Sequence, residues 1–467
     1  MKGLLWVFFE KIGVTVLSLI ATFWYANLLG PVGFGLAIII LSTSLFISTI
    51  IENLQQYPLI AATENVDDTF KTSAIGWLLV STLIAIILFM VLLVIYGSDW
   101  WLLILLSVVY IPISSISRVY IADLIIKQKY KQLAFRACWG KAAGVAAGLF
   151  VAYLGYVELA IILQSFVAVF IALIVMALSN KSLFNSNSRF SLSLFITLCH
   201  EGIPSGFAVI EQNAKSHGLI IFLGAFIGPY VSGLYALAIK VVDIPRTLIG
   251  LGFTTWATGK FHQVRAQQTR LVSVFNTALL CCCSILVPSY IGLVAVAEPL
   301  INEFFGDDWL EASEIIAWLA FYQCIFSFYL YLPPLQVLFK TTYRTLLVNV
   351  LSTVIVLLSV VLFSDSFGKY APLVGMYTSL LFILPKYSVE IVKALNTNFV
   401  SIIKVIYGIL LSAVVMYGVV YISIDSFAVS NVYMLIAIGV ISYIIVFILF
   451  NLANIIDRKI LANIKTL

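Results

Sequence analysis

The stretch LLGPVGFGLAIII (residues 28–40) joins two long apolar runs, and the similar stretch FIGPYVSGLYALAI (residues 226–239) joins two others. Each has Gly-Pro in the turn, followed by a glycine and an apolar run that enters the next helix. An even number of predicted membrane spans separates them, so both copies run in the same direction. The pattern predicts two parallel six-helix lobes, related by an axis along the membrane normal, with a site between them at the midplane.

Apolar residues dominate the rest of the chain as well. Of its 467 residues, 62% are hydrophobic and only 10% are charged, and the mean hydropathy is +1.11. A soluble protein of this size needs far more polar surface. We therefore predict an all-α polytopic membrane protein of about fourteen transmembrane helices, each roughly 20 residues or longer. The expected spans are 4–28, 33–58, 72–96, 101–122, 133–154, 157–178, 195–226, 230–257, 271–297, 312–337, 345–364, 370–393, 400–423 and 430–452.

This series of spans predicts the domain organisation. The expected parts are a six-helix lobe (1–180), a second six-helix lobe (195–394), two further helices (399–452) and a cytoplasmic tail (453–467). Basic residues lie mainly in the connections on the side of the N-terminus, whereas the longest outer connection (298–314) has acids and no Lys or Arg. By the positive-inside rule, both termini are expected in the cytoplasm.

One predicted span carries charges that a lipid-facing helix would avoid. In AIKVVDIPRTLIG (238–250), Lys240, Asp243 and Arg246 follow each other at steps of three. Each charge at a bilayer centre costs about 2.5–3.5 kcal/mol. We predict that Lys240 and Arg246 face an aqueous cavity and bind an anion, with Asp243 orienting them; an internally paired ion cluster is the alternative. Pro245 is expected to kink this helix.

The preceding span, HEGIPSGFAVIEQNAKSHGLIIF (200–222), is its counterpart. Pro204, between two glycines, predicts a broken helix. Lys215 is a candidate contact for the same anion, and Glu211 or His217 is a candidate for coupling to a cation or proton. The alternative is a single Glu211–Lys215 pair on a polar helix face.

Three other segments have polar or small residues inside apolar runs. Glu10 and Lys11 in the first span either line a cavity or anchor the helix at the interface. ENLQQY (52–57) offers hydrogen-bonding groups that suit sugar hydroxyls, but such groups are also ordinary at a helix end. GKAAGVAAG (140–148) predicts close helix packing, with Lys141 snorkelling toward the inner face.

No motif of a soluble enzyme is present. The chain has no P-loop, nucleophile elbow, dinucleotide fingerprint or Cys/His metal cluster, so we expect no catalytic residues, no metal and no cofactor. The acidic pair in GDDW (306–309) lies in a connection too short for a catalytic domain. Nucleic acid is not an expected partner.

Several stretches resemble one known family. YANLLGPVGFGLAIIILS (25–42) resembles the span-one to span-two signature of the Wzx-type polysaccharide-repeat flippases, which serve O-antigen and exopolysaccharide biosynthesis. GLYALAIKVVDIPRTLIG (233–250) is similar to the entry of their eighth span. EPLINEFFGDDWLEASEIIAWLA (298–320) and LQVLFKTTYRTLL (335–347) are similar to the segments before and after their tenth span. This family belongs to the multidrug/oligosaccharidyl-lipid/polysaccharide exporter superfamily.

The resemblance implies a function and a location. It implies a flippase of the bacterial inner membrane that moves an undecaprenyl-diphosphate-linked oligosaccharide repeat to the outer leaflet by alternating access. It also implies that Lys11, Lys240 and Arg246 line the cavity and that the last two spans hold the lipid tail. Besides substrate and membrane lipids, the expected partners are a polysaccharide polymerase and a chain-length regulator.

The residues themselves favour the same function over two alternatives. A diphosphate headgroup needs cations in a cavity shielded from lipid, because low dielectric strengthens the pairing. A cation-coupled drug exporter of the same fold is the first alternative, and the basic excess in spans seven and eight argues against it. A membrane glycosyltransferase or polysaccharide polymerase is the second, and the short outer connections argue against that.

Overall fold

A computed structural model describes residues 2–61, 66–179, 189–427 and 431–452. Helices make up nearly all of these residues, which confirms the all-α polytopic fold class. The predicted cytoplasmic tail (453–467) lies outside the described residues. The helices are α1 Lys2–Ala61, α2 Val66–Tyr96, α3 Trp101–Ile126, α4 Tyr130–Tyr153, α5 Val157–Ser179, α6 Leu192–Asn213, α7 Leu219–Phe226, α8 Pro229–Pro245, α9 Leu251–Val264, α10 Gln268–Phe305, α11 Leu310–Ser327, α12 Leu332–Phe339, α13 Tyr343–Phe367, α14 Ala371–Leu395, α15 Phe399–Asp425 and α16 Val432–Leu452.

Nine helical stretches in the described part of the chain are long and apolar enough to cross a membrane. Two of them, Phe9–Ala61 and Tyr343–Leu395, contain 53 residues each. At about 1.5 Å per residue, a helix of that length exceeds twice the hydrocarbon thickness of a bilayer. Each therefore has room for two crossings. The number of fourteen spans stays a prediction.

The two Gly-Pro turns of the repeat are true backbone breaks. Gly30 interrupts α1 with a φ of 62°, and Gly228 precedes α8 with a φ of 122°. Residues with a side chain rarely adopt positive φ, and glycine does so readily. The proline that follows each glycine has the fixed φ of a first helical residue, so a new helix starts there. The sequence pattern thus sets both turns.

The two copies of the repeat also pack on each other. A Cβ atom added at Gly35 would collide with the carbonyl oxygen of Pro229, and one added at Gly233 would collide with the carbonyl oxygen of Pro31. The two contacts are equivalent, because Gly35 and Gly233 occupy the same position in the two copies of the repeat. Only glycine lets the backbones of α1 and α8 approach this closely.

The chain divides into two compact units, Met1–Ala236 and Leu237–Leu467. In the first unit, Phe70 of α2, Val119 of α3 and Met176 of α5 belong to one buried apolar cluster. In the second, the rings of Phe261, Phe275 and Tyr331 contact one another edge-on or tilted, with centroids 6.0–6.2 Å apart. The predicted lobe boundaries, 1–180 and 195–394, stay predictions.

Two prolines have different effects on their helices. The break predicted at Pro204 is wrong, because α6 continues through this position to Asn213. A five-residue π-helical turn, Ala214–Gly218, follows instead. Pro245 ends α8, and a second π-helical turn, Arg246–Gly250, connects it to α9. Proline removes a backbone donor from the helical ladder, which explains the altered geometry directly after Pro245.

Candidate functional site

Small residues allow α4 to pack closely on α5 in the first unit. A Cβ added at Gly144 would meet the carbonyl oxygen of Gln164 and, at 2.9 Å, the methyl group of Ala168. The same holds one turn earlier, where a Cβ at Gly140 would lie 2.5 Å from the carbonyl oxygen of Ala168. The small residues of 140–148 therefore pack the helices as the sequence predicts.

Beside this contact lies a cavity of about 490 Å³, which we call the N-terminal cavity. Its charged lining residues are Glu10 and Lys11 of α1 and Arg136 and Lys141 of α4. Three cations thus face one carboxylate, and the lining has an excess of positive charge. Neutral residues complete the wall: Val14, Thr15, Leu45, Tyr110, Ala137, Ser165, Ala168, Val169 and Ala172.

Arg136 has a buried donor that the protein, as far as the structure describes it, leaves without an acceptor. Its Nε atom is buried, and no residue in the described part of the chain accepts a hydrogen bond from it. Glu10 and Glu52 attract its charge, whereas Arg118 repels it. A buried donor without an acceptor is destabilising, and more so when it belongs to a charged group. An anion in the N-terminal cavity would supply the missing acceptor.

A second ionic group lies near this cavity and has a different role. Arg118 of α3 forms an ion pair with Glu52, whose side chain is only 8% exposed, and donates a hydrogen bond of 2.8 Å to Gln56. Ser115 donates a hydrogen bond of 3.2 Å to Gln55. Three residues of the segment 52–57, Glu52, Gln55 and Gln56, bind α3. Arg118 thus holds α1 against α3. Asn53 donates to the carbonyl oxygen of Thr49 within α1, and the role of this segment in binding sugar hydroxyls stays a prediction.

In the second unit, Arg246 lines a cavity of about 350 Å³, which we call the C-terminal cavity. Arg246 is the only charged residue in its described lining. Asp243 interacts electrostatically with Arg246 but does not line the cavity. The polar and aromatic lining residues are Thr254, Tyr290, Gln323, Phe326, Ser327, Tyr329, Gln336, Thr345, Asn349 and Tyr387.

Hydrogen bonds hold much of this lining in place. Tyr387 donates a bond of 2.8 Å to Oδ1 of Asn349, and Gln336 donates one of 3.0 Å to the hydroxyl of Thr345. The rings of Tyr329 and Tyr387 meet edge to face at 5.7 Å. Phe326 contacts Tyr387 in the same way at 6.3 Å. The lining of the C-terminal cavity therefore contains a connected group of aromatic rings, Phe326, Tyr329 and Tyr387, which we call the aromatic wall, beside neutral hydrogen-bonding groups.

The predicted residues of spans seven and eight have varied surroundings. Lys215 forms an ion pair of 2.6 Å with Glu211, one turn away, as the alternative interpretation of that span expects. Lys215 and His217 both lie in the first π-helical turn. Lys240 is half-buried on α8, before the second π-helical turn. The ligand-binding and coupling roles of these four residues stay predictions.

Two cavity-lining cations were not among the predicted site residues. Sequence reasoning passed over Arg136 and gave Lys141 only a snorkelling role, yet both line the N-terminal cavity together with the predicted Glu10 and Lys11. Lys11 and Arg136 are far apart in sequence, so spacing alone could not group them. For Lys141 the sequence did contain an indication of its position. This residue follows Gly140 in a stripe of small residues, and such a stripe is typical of a helix face that packs against another helix.

No group of three or more His, Cys, Asp or Glu side chains that could hold a metal ion occurs in the described residues. All six cysteines are free thiols, and Cys282, Cys283 and Cys324 are buried. The N-terminal and C-terminal cavities offer cations, amides, hydroxyls and aromatic rings to a ligand. A third cavity of about 760 Å³ in the second unit has the carboxylates of Glu298, Glu303 and Glu314 in its lining.

Comparison with solved structures defines the fold. The structure "Lipid II flippase MurJ, inward closed conformation" is similar with a TM-score of 0.78 and 14% identity, over 96% of this chain and 99% of that one. An inward-facing multidrug resistance MATE family transporter of the MOP superfamily is similar with a TM-score of 0.56 and 13% identity, over 80% and 95%. The chain thus has the fold that these two transporters share.

Sequence comparison gives the particular family. The family model "Polysaccharide biosynthesis protein" matches residues 25–314, and the chain belongs to this family. The teichuronic acid biosynthesis protein TuaB of Bacillus subtilis (strain 168) is 32% identical over 106 residues. That match spans 22% of this chain and 21% of the length of TuaB. The chain is a multi-pass membrane protein of the polysaccharide biosynthesis family with a flippase-like fold.

Proposed function

We propose that this protein is a flippase that moves an undecaprenyl-diphosphate-linked oligosaccharide repeat from the cytoplasmic to the outer leaflet by alternating access. The observation that carries the proposal is the cation excess of the N-terminal cavity, with a buried and unsatisfied guanidinium nitrogen on Arg136. The family and the fold support the coarser function, transport of a lipid-linked substrate in polysaccharide biosynthesis.

A diphosphate group suits this cavity on chemical grounds. It carries at least two negative charges and many acceptor oxygens, and Lys11, Arg136 and Lys141 supply three cationic donors. A guanidinium binds phosphate in a fork, whereas an ammonium acts as a point charge, so the set combines orientation with charge. Glu10 limits the net charge and can orient Lys11 or Arg136. We therefore assign the headgroup to the N-terminal cavity.

The other parts of the proposal follow from the sequence. The lobes 1–180 and 195–394 would rock against each other, and the helices of 399–452 would hold the polyprenyl tail. Moving a negative headgroup outward is aided by an inside-negative potential, by about 2.3 kcal/mol per uncompensated charge per 100 mV. Glu211 and His217 are proposed to couple transport to a cation or proton. The proposed setting is the bacterial inner membrane, with cytoplasmic termini and with a polymerase and chain-length regulator as partners.

The cation excess also weighs against the two alternatives. An exporter of organic cations needs acidic groups in its cavity, and the N-terminal cavity has one carboxylate against three cations. A glycosyltransferase or polymerase needs catalytic acids placed around a sugar bond. The N-terminal and C-terminal cavities do not provide them, and the acids of the third cavity, Glu298, Glu303 and Glu314, lie on or beside the short outer connection 298–314.

A reconstitution experiment tests the proposal. Purified protein in liposomes should expose a fluorescent undecaprenyl-diphosphate-linked oligosaccharide to a membrane-impermeant quencher. Arg136→Gln should slow the initial rate about tenfold or more, because one charge-assisted contact is lost. Lys131→Gln is the matched control: Lys131 lies on the same helix, is exposed, and contacts the ring of Trp6 rather than the cavity.

Three results would each reject the proposal in a different way. An unchanged rate in Arg136→Gln would remove the assigned headgroup site. Release or extension of sugar would move the protein to the enzyme class. Gradient-driven uptake of ethidium without any lipid translocation would identify an exporter of organic cations.

A further inference from the structure

The C-terminal cavity has a chemical character that a diphosphate headgroup does not explain. Its described lining contains one cation, Arg246, and the carboxylate of Asp243 interacts with that cation from outside the lining. A group with two or more negative charges would therefore be poorly balanced here. A ligand with a single negative charge matches the single guanidinium.

The neutral part of the lining indicates what else the ligand carries. Oδ1 of Asn349 already accepts a hydrogen bond from Tyr387, so its amide nitrogen remains as a donor for a ligand. The side chain of Gln323 also lines the cavity, and no hydrogen bond engages it within the described part of the chain. Amides of this kind bind hydroxyl groups, since they both donate and accept.

The aromatic wall adds the third feature. Phe326, Tyr329 and Tyr387 form a connected series of edge-to-face contacts beside the amide groups. Aromatic faces carry partial negative charge, so they attract the polarised C–H groups on one face of a pyranose ring. The cavity volume of about 350 Å³ lies within the range of roughly 300–1,000 Å³ that is typical of small-molecule sites.

We propose that the C-terminal cavity is a subsite for an acidic sugar of the carried glycan, one with a carboxylate on a pyranose ring. Arg246 pairs with the carboxylate, the amides of Gln323 and Asn349 bind ring hydroxyls, and the aromatic wall packs on the C–H face. This inference rests on the proposed function, because it takes the cargo to be a glycan. It assigns Arg246 to the sugar rather than to the diphosphate headgroup predicted from sequence.

Binding of free sugars tests the subsite without any transport. The full-length protein in nanodiscs is titrated with methyl β-D-glucuronide and with methyl β-D-glucoside, which differ in a carboxylate against a hydroxymethyl group. We expect the glucuronide to bind about tenfold more tightly or better, because a charge-assisted bidentate pair is made only with the acid. Equal dissociation constants for the two sugars would overturn the proposal.

Variants locate the effect in the cavity. Arg246→Gln should remove the preference for glucuronide, and Arg246→Lys should keep part of it because the charge remains. Arg265→Gln is the control: this exposed arginine follows α9, outside the cavity lining, and should leave the preference intact. Tyr387→Phe retains the aromatic ring but removes the hydrogen bond to Oδ1 of Asn349. This variant should weaken the binding of both sugars about equally, by a few-fold.

The outcomes separate this inference from the proposed function. Arg246-dependent binding of glucuronide by a protein that fails to translocate the lipid-linked glycan would support the subsite and reject the flippase. Translocation at equal rates for acidic and neutral glycans, in the wild type and in Arg246→Gln, would support the flippase and reject the subsite. A glucuronide preference that survives Arg246→Gln would also reject it.

Discussion

The N-terminal and C-terminal cavities differ in charge more than in size. The first, about 490 Å³, has three cations against one carboxylate; the second, about 350 Å³, has one cation among amides, hydroxyls and rings. Charge sets the attraction for an anion, whereas neutral donors and aromatic faces select its shape. This difference is why we propose the multiply charged headgroup for the N-terminal cavity and a sugar for the C-terminal one.

The same comparison separates two kinds of arginine. Arg118 forms an ion pair with the buried Glu52 and a hydrogen bond with Gln56, so its charge stabilises the contact between α3 and α1. Arg246 is exposed and has no ion pair within 4.0 Å in the described chain. An intramembrane cation is thus a ligand-binding candidate only when its own protein leaves its charge unpaired.

The largest expected effect is on the translocation rate, through lost contacts to the diphosphate headgroup. In Arg136→Gln/Lys141→Gln, two charge-assisted contacts are lost, and the translocation rate of a diphosphate lipid with a neutral glycan should fall roughly a thousandfold. Arg246→Gln should change that rate less than about twofold, because a neutral glycan makes no ion pair with it. A quencher-protection assay in proteoliposomes gives both rates. If both variants lost transport equally, the division of roles between the cavities would be wrong.

The next effect is on stability. Arg118→Gln leaves Glu52 buried without its partner, and we expect the free energy of unfolding to fall by about 3 kcal/mol. Arg246→Gln breaks no ion pair within 4.0 Å in the described chain and removes only the longer-range attraction to Asp243, so it should lower the free energy of unfolding by less than about 1 kcal/mol. Denaturant unfolding in mixed micelles measures both values, and Glu52→Gln combined with Arg118→Gln should recover part of the loss. Full stability of Arg118→Gln would show that the ion pair is not structural.

The smallest expected effect is a loss of stability from disturbed helix packing beside the N-terminal cavity. Gly144→Ala places a methyl group against the carbonyl oxygen of Gln164, which should force α4 from α5 and destabilise the protein by about 1–3 kcal/mol. Gly418→Ala is the control, since nothing lies within 4 Å of its added Cβ, and alanine is the better helix former.

Ligand titrations show whether this packing defect is local. Gly144→Ala should weaken binding of a diphosphate lipid while leaving glucuronide binding by the C-terminal cavity unchanged, because Ala168 of the displaced helix lines only the N-terminal cavity. Equal weakening of both ligands would indicate a general loss of structure instead.

Local patterns explain why much of the fold was predictable. Hydropathy and run length placed the helices, and the Gly-Pro turns at Gly30 and Gly228 were predictable because positive φ followed by a fixed φ allows few other structures. The helix break at Pro204 was predicted wrongly. Proline lowers the preference for a helix, but neighbouring helices can hold the α-helical path: a Cβ at Gly202 would touch the carbonyl oxygen of Leu54, so the backbones are tightly packed there.

The sequence by itself determined that the chain is a helical membrane protein, where its helices run and which charges lie inside them, because these properties depend on neighbouring residues along one segment. Only the tertiary structure decided which of those charges act together. Lys11 and Arg136 share a cavity although 125 positions separate them, whereas Arg118 is neutralised by Glu52. Pairing and exposure depend on which helix faces which, and that is set by packing over the whole unit rather than by any local pattern.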